Sequence, residues 1–223
     1  MSHPFQIRQF QIGDYQNFVY VISDSGEALI VDPQSDLSPL QDYFKTHSLK
    51  LVGILLTHTH FDHIAGVPEL VRLYPGIPIY LGERDAHRLK RAEGARTHFL
   101  KDGEIISLGA LKIRVMQTPG HSPGECSYFV HEAGSAPALF TGDTVFIRDC
   151  GRTDLEGGSN AELFASLQKI KALPPETRIL PGHSYNAKLI SSAGPLIHST
   201  LADEMRESAP FRCHSVEELA ALP

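Results

Sequence analysis

The chain has 223 residues, 42% hydrophobic and 21% charged, which fits an ordinary globular protein with room for a sizeable core. Its formal net charge of −6 leaves no basic footprint for nucleic acid, and no apolar run approaches the roughly 20 residues that span a bilayer. Three cysteines, Cys126, Cys150 and Cys213, are too few and too scattered for a disulfide framework. A reducing compartment is therefore expected. Met1-Ser2-His3-Pro4 leads straight into a strand pattern without a secretory segment, so the expected location is cytoplasmic.

Residues 5–12 alternate apolar and polar, the period of a strand with one buried face. Residues 17–22 and 28–31 are apolar runs of strand length, the second ending at Asp32-Pro33. A helix is expected over 36–47, capped by Ser35 or Asp36. A buried strand follows at 51–56, then a helix opened by Gly66 and running to Leu73. Residues 78–81 read as a short strand, 83–91 as a charged helix, and 104–108 with 111–117 as a hairpin turning at Gly109-Ala110. Strands are expected at 126–131, 138–140 and 177–179. Before the last of these, a helix capped by Ser159 or Asn160 runs to about Ala172 and is stopped by Pro174-Pro175. Strands before and after helices in each half fit a layered α/β sandwich.

The strand at 51–56 delivers the chain into Thr57-His58-Thr59-His60-Phe61-Asp62-His63, where three histidines and one aspartate fall within six positions. Imidazole and carboxylate are the ligands that borderline divalent metals prefer. Three residues of the same kind follow at strand ends, each beside a glycine that permits a sharp turn. His121 lies in Thr118-Pro119-Gly120-His121-Ser122, Asp143 in Phe140-Thr141-Gly142-Asp143-Thr144, and His183 in Leu180-Pro181-Gly182-His183-Ser184. The candidate metal ligands are His58, His60, Asp62, His63, His121, Asp143 and His183. Each of His3, His47, His87, His98, His131, His198 and His214 stands alone, and a lone histidine is more often a surface or core residue than a ligand. Pro-Gly-His-Ser recurs at 119–122 and 181–184, a weak echo of an internal half-repeat.

This pattern, from Thr57 to His63 and then His121, Asp143 and His183 in order, resembles the signature of the metallo-β-lactamase superfamily. The resemblance runs from about Phe5 to about Arg212. It is closest to the glyoxalase II group, the hydroxyacylglutathione hydrolases, and to their relatives the persulfide dioxygenases. It implies a four-layer αβ/βα sandwich, with one domain over residues 1–223 and a short C-terminal extension from about 186. In the family pattern His58, His60 and His121 hold one ion, Asp62, His63 and His183 hold a second, and Asp143 bridges both. The implied cofactors are two divalent metal ions, zinc foremost, with iron or a mixed pair as variants. Asp62 and Asp143 take the catalytic roles, and a metal-bridging hydroxide attacks the carbonyl of a thioester.

The resemblance also implies the partners: a small-molecule thioester, glutathione-linked, with neither nucleic acid nor membrane, in a monomer or homodimer. Arg152, Tyr185 and Arg212 match positions that hold glutathione, Arg212 by meeting a carboxylate with its guanidinium. Only 40 residues follow His183, where glyoxalase II has a longer helical tail, and Ser208-Ala209 precede Pro210 where the family has Asn. Thioester hydrolysis is therefore a firmer expectation than glutathione as the thiol. The alternative is persulfide dioxygenase, which the 147–154 segment resembles and which uses a single iron on residues matching His58, His121 and Asp143. Phe61 and Leu155-Glu156 depart from that group. A metal-binding module without turnover is the third reading, and the complete ligand set argues against it.

Overall fold

The computed structural model describes residues 5–89, 96–183, 185–186 and 196–222. Strands β1 (Gln6–Ile12), β2 (Asn17–Asp24) and β3 (Glu27–Val31) form an antiparallel meander. Helix α1 (Ser38–Thr46) leads to β4 (Lys50–Leu55), and helix α2 (Val67–Leu73) to β5 (Pro78–Leu81) and β6 (Arg96–Phe99), each pairing parallel with the strand before it. These six strands make one sheet in sequence order. Next come β7 (Ile105–Leu108), β8 (Leu111–Gln117), β9 (Cys126–Val130) and β10 (Ala138–Gly142). A small ribbon, β11 (Val145–Phe146) with β12 (Asp149–Cys150), precedes helix α3 (Asn160–Lys171). Strands β13 (Arg178–Pro181) and β14 (Ser199–Thr200) complete a second six-stranded sheet of order β14-β13-β10-β9-β8-β7. Helices α4 (Leu201–Glu207), α5 (Ala209–Arg212) and α6 (Val216–Ala220) close the chain.

Strand β2 shows why the layers stack as they do. All eight of its residues are buried, because both faces of its sheet are covered. Phe18, Tyr20 and Ile22 point to the second sheet and join Tyr128, Phe140 and Leu180 in the central core. Val19 and Val21 point the other way, to Leu40 and Phe44 of α1 and Val67 and Leu70 of α2. On the outer face of the second sheet, Leu139 and Ile179 pack against Leu163, Leu167 and Ile170 of α3, with Leu201, Phe211 and Leu219 from the last three helices. The result is helix, sheet, sheet, helix: the expected four-layer sandwich.

Several local expectations are corrected. Helix α1 begins at Ser38 with Leu37 in the cap position and no side-chain cap. Asp36 instead accepts a hydrogen bond from the Ser38 amide at 3.0 Å, bracing the turn before a helix started by proline. The charged helix expected over 83–91 is a 3-10 helix, Glu83–Arg88, with residues 90 and 91 outside the described set. Its Asp85 is drawn inward, accepting from Ser122 Oγ at 2.7 Å and the Gly124 amide at 3.0 Å. Strand β6 and the β11–β12 ribbon were not expected. The first is exposed along its whole length and carries no periodic signal, and the ribbon strands are two residues each. Ser159 caps α3 as expected, accepting from the Glu162 amide at 3.2 Å. Ser184 and the 187–195 connection lie outside the described residues.

The C-terminal segment is tied to the ribbon by a buried ion pair. Arg148, at φ +63° in the ribbon turn, donates its amide to Glu204 Oε2 at 2.8 Å and its guanidinium to Glu204 Oε1 at 2.6 Å and Ser199 Oγ at 3.0 Å. Glu204 of α4 is fully buried, so removing either partner would strand a charge. Among the described residues no helix is long and apolar enough to cross a membrane.

Candidate metal centre

The expected ligands sit where strands end on one edge of the sandwich. His58, His60, Asp62 and His63 follow β4, Asp143 follows β10 and His183 follows β13, while His121 lies between β8 and β9. Because β10 and β13 are parallel, their C-terminal ends deliver Asp143 and His183 side by side. Gly142, at φ +50°, makes the approach possible. A Cβ there would meet Thr57 Oγ1 at 2.3 Å.

All seven side chains converge. His60 Nδ1 lies 3.0 Å from His121 Nε2, and His63 Nε2 lies 3.1 Å from His183 Nε2. Asp62 Oδ2 is 3.3 Å from His183 Nε2 and 3.6 Å from His63 Nε2. The Asp143 carboxylate reaches both sides: 3.5 Å to His121, 3.4 Å to His63 and 3.4 Å to His183. The ligand atoms of His58, His60 and His121 lie within 4.8 Å of one another, and so do those of Asp62, His63 and His183. A third compact trio, Asp32, His58 and His63, has another explanation. Asp32 already accepts from the Thr57 amide at 2.8 Å and Thr57 Oγ1 at 2.5 Å, and its Oδ2 faces His63 Nδ1 at 3.0 Å.

The outward ring nitrogens explain the aim of the inward ones. His63 Nδ1 faces Asp32, His121 Nδ1 faces the Arg152 carbonyl at 2.8 Å, and His183 Nδ1 faces the Tyr15 carbonyl at 2.8 Å. His58 Nδ1 faces Thr57 Oγ1 at 3.1 Å, an oxygen whose own proton goes to Asp32. An oxygen on Nδ1 fixes the tautomer that leaves the Nε2 lone pair pointing inward. His60 is the exception and presents Nδ1.

These residues fit a metal. His58 Nε2 and Asp143 Oδ1 are buried and make no hydrogen bond. An unanswered buried polar atom is costly, and two pairs of imidazole nitrogens facing each other at about 3 Å invite a cation between them. Histidine nitrogens and carboxylate oxygens suit zinc or iron better than harder cations.

The two halves differ in charge. Burial, reinforced by neighbouring imidazoles, pushes His58 well below the usual histidine range and His60 down to about 4. Burial works the same way on His63 and His183, but Asp143 with Asp32 overcomes it at the first. At the second, hydrogen bonds with Asp143 and Asp62 push the value up to about 10. Burial alone would raise Asp62 and Asp143, yet the facing histidines hold both below the usual carboxylate range. At pH 7 His58 and His60 are therefore neutral, while His183 holds a proton and His63 is shifted toward its protonated form. Ligation needs neutral imidazole, so loading chelator-stripped protein at pH 7 should release protons. Apparent affinity should rise about tenfold per pH unit for each proton released, while pH stays below the His183 value of about 10. Calorimetry in buffers of different ionisation heat measures the release. Heats independent of buffer would contradict it.

Sequence reasoning missed the supports. Asp32 ends β3 as Asp143 ends β10, a strand-end acid that Pro33 made look like an ordinary turn. Glu125, fully buried, accepts from the Asp143 amide at 2.7 Å, and burial together with the Asp143 charge pushes its carboxyl well above the usual range. Asn17 donates to Asp62 Oδ2 at 3.0 Å, and Gln34 to the Asp62 carbonyl at 3.1 Å.

The three residues expected to hold substrate are placed unequally. Tyr185, half exposed, stacks on the His183 ring at 4.7 Å and 7° and meets Phe146 edge-on. Arg152 is exposed, its guanidinium paired with Asp154 at 2.5 Å, in a loop that Gly151 lets close on His121. A Cβ on Gly151 would stand 1.9 Å from the Asp143 carbonyl. That loop and residues Leu219, Ala220 and Leu222 line an open groove of about 660 Å3. Arg212 is exposed on α5, which packs against α4 and β12.

A family profile described as metallo-beta-lactamase superfamily matches residues 12–183. The chain belongs to that superfamily. A hydroxyacylglutathione hydrolase of Fuscovulum blasticum is 37% identical over 223 aligned positions, covering 93% of this chain and 82% of that protein. A Bacillus velezensis protein named "Probable polyketide biosynthesis zinc-dependent hydrolase BaeB" is 33% identical over 84% of this chain and 83% of its own length. Among solved structures, ETHE1 from Myxococcus xanthus superposes with a TM-score of 0.75 at 26% identity, covering 98% of this chain and 92% of that one.

Proposed function

We propose that this protein is a metal-dependent thioester hydrolase of the hydroxyacylglutathione hydrolase type. The observation that carries the reading is the pair of compact ligand groups, His58-His60-His121 and Asp62-His63-His183, with Asp143 reaching across both. Relatives named hydroxyacylglutathione hydrolase support the reaction class, and the zinc-dependent relative supports zinc. Two divalent ions, zinc first, would be held by these seven residues and would supply Lewis acidity that polarises a carbonyl and acidifies water toward a pKa of about 7.

The chain does the rest by position. Asp32, Thr57 and the carbonyls of Tyr15 and Arg152 fix four imidazole rings, so the centre needs little reorganisation during reaction. Asp62, whose carboxylate accepts from Asn17, and Asp143, whose amide donates to Glu125, are held in place at the centre. The oxygen of water bonds to the acyl carbon as one of its protons passes to solvent, the carbon–sulfur bond breaks, and its electron pair leaves with the sulfur, giving the carboxylic acid and a thiolate. A thiolate leaves without a strong general acid. Tyr185 offers a flat face beside His183, and Arg152, whose carbonyl faces His121, an exposed guanidinium for the thiol carrier. The whole of residues 1–223 works as one metallo-β-lactamase-fold unit in this reading, with Arg212 as a further carrier contact.

The test is steady-state kinetics of metal-loaded protein on a hydroxyacyl-glutathione thioester and on the matching coenzyme A thioester. Arg152 is exposed and already paired with Asp154, so a ligand gains little by replacing that partner. Arg152→Ala should raise KM for the glutathione thioester about three- to tenfold, leaving kcat and metal content unchanged. A strong preference for coenzyme A with no effect of Arg152→Ala would remove glutathione and keep the hydrolase. The persulfide dioxygenase reading, with one iron on His58, His121 and Asp143, draws on the 147–154 segment and is separated from this one in the Discussion.

A further inference from the structure

The turn that carries four of the seven ligand positions also builds an apolar pocket. Phe61 lies between His60 and Asp62, and Ile64, Ala65, Val67 and Pro68 follow directly after His63. Together with Arg88 these residues line a cavity of about 270 Å3. The cavity adjoins the centre, because Phe61, the residue between His60 and Asp62, stands on its wall. Two large rings stand there in the open. Phe61 is 66% exposed and Tyr15 52%, and they touch edge to face with centroids 5.3 Å apart. The Tyr15 carbonyl meanwhile faces His183. Nothing among the described residues covers these rings, and exposed aromatics beside a polar centre are a feature that asks for a ligand.

We infer that this pocket receives the acyl group of the thioester, and that the group is an apolar chain longer than acetyl. The inference rests on the thioester hydrolase reading and deepens it. The volume lies just below the roughly 300–1,000 Å3 of ordinary ligand pockets, enough for a short acyl chain and too small for glutathione or coenzyme A. The carrier is left to the larger groove beside Arg152. Arg88 does not turn the pocket into an anion site. Its guanidinium is tied to Asp85 at 3.3 Å and to the Glu156 carbonyl at 3.0 Å, so its positive charge is already answered.

Ala65 is exposed on the pocket wall and is not a ligand position, so Ala65→Leu should fill the cavity while keeping all seven ligands. With one carrier held constant, kcat/KM of the wild type should rise about fourfold per methylene from acetyl to hexanoyl thioester. In Ala65→Leu the rise should disappear, with at least about a tenfold loss on hexanoyl, less than a twofold change on acetyl, and unchanged metal content. A direct binding measurement accompanies the kinetics. Calorimetry on metal-loaded protein should show hexanoate binding at least about tenfold tighter than acetate in the wild type only. Wild-type indifference to chain length, or equal losses on acetyl and hexanoyl in the variant, overturns the pocket while leaving the hydrolase standing. If no thioester is turned over, the proposed function fails, and the hexanoate-to-acetate affinity ratio alone decides the pocket.

Discussion

Replacing Asp143 by alanine should strip most of the bound metal and lower hydrolytic kcat/KM by at least about a thousandfold, or about 4 kcal/mol of transition-state stabilisation. The Asp143 carboxylate faces histidines of both ligand groups, with oxygens 3.4–3.5 Å from His63, His121 and His183. Its removal takes the shared anion from between two sets of imidazoles and leaves His63 and His183 with only Asp32, Asp62 and the Tyr15 carbonyl to favour their protonated forms. The scaffold should survive, because the residue's backbone contact with Glu125 and the glycine turn before it do not depend on the side chain. Metal analysis after dialysis, circular dichroism and steady-state kinetics on one preparation measure the three quantities together. Full occupancy with normal turnover in Asp143→Ala would end the two-ion reading. An unfolded variant would place Asp143 in the framework instead of the chemistry, and Asp143→Asn, which keeps shape and loses charge, then separates the two.

The seven ligand positions were legible for a physical reason. Four of them crowd the segment after the apolar run of β4, and the other three, His121, Asp143 and His183, each stand directly after a glycine near a strand end. The supports were not legible, because their logic is tertiary. Asp32 looks like the end of β3 at a turn, and only the approach of β4 turns it into the acceptor of Thr57 and the partner of His63. The oxygen that orients His183 is the Tyr15 carbonyl, a backbone atom 168 positions away with no side-chain signature. The Arg148–Glu204 pair spans 56 positions and shows only once the C-terminal helices pack beside the ribbon. Layer order was easier, since β2 and β4 read as continuous apolar runs and such runs belong to sheets covered on both faces. The 3-10 geometry at Glu83–Arg88 was hidden because Asp85 looks like a solvated charge until Ser122 and Gly124 are seen against it.

The comparison of His121→Ala with His183→Ala decides between hydrolase and oxygenase, because the two chemistries need different residues. A single-iron site would use His58, His121 and Asp143, and His183 would then be a neighbour. In the hydrolase reading His183 belongs to the group with Asp62 and His63, whose ligand atoms are as closely gathered as those of the His58 group. The geometry favours the second view. The Nε2 of His183 is aimed inward by the Tyr15 carbonyl and lies 3.1 Å from His63, 3.3 Å from Asp62 and 3.4 Å from Asp143. A histidine with no part in ligation has little reason to be held against two carboxylates and another imidazole. Both variants should therefore lose at least about a hundredfold in thioester kcat/KM, or about 2.7 kcal/mol, after reconstitution with zinc or iron. His183→Ala also removes the ring under Tyr185, so its KM should rise along with the fall in kcat. Oxygen uptake on glutathione persulfide, measured on the same iron-loaded samples, provides the contrast. Persulfide oxidation that survives His183→Ala, vanishes in His121→Ala and consumes oxygen stoichiometrically would assign the centre to a single iron. Absence of oxygen uptake in the wild type, with hydrolysis lost in both variants, would leave His183 as one of six residues grouped around two ions, with Asp143 between them.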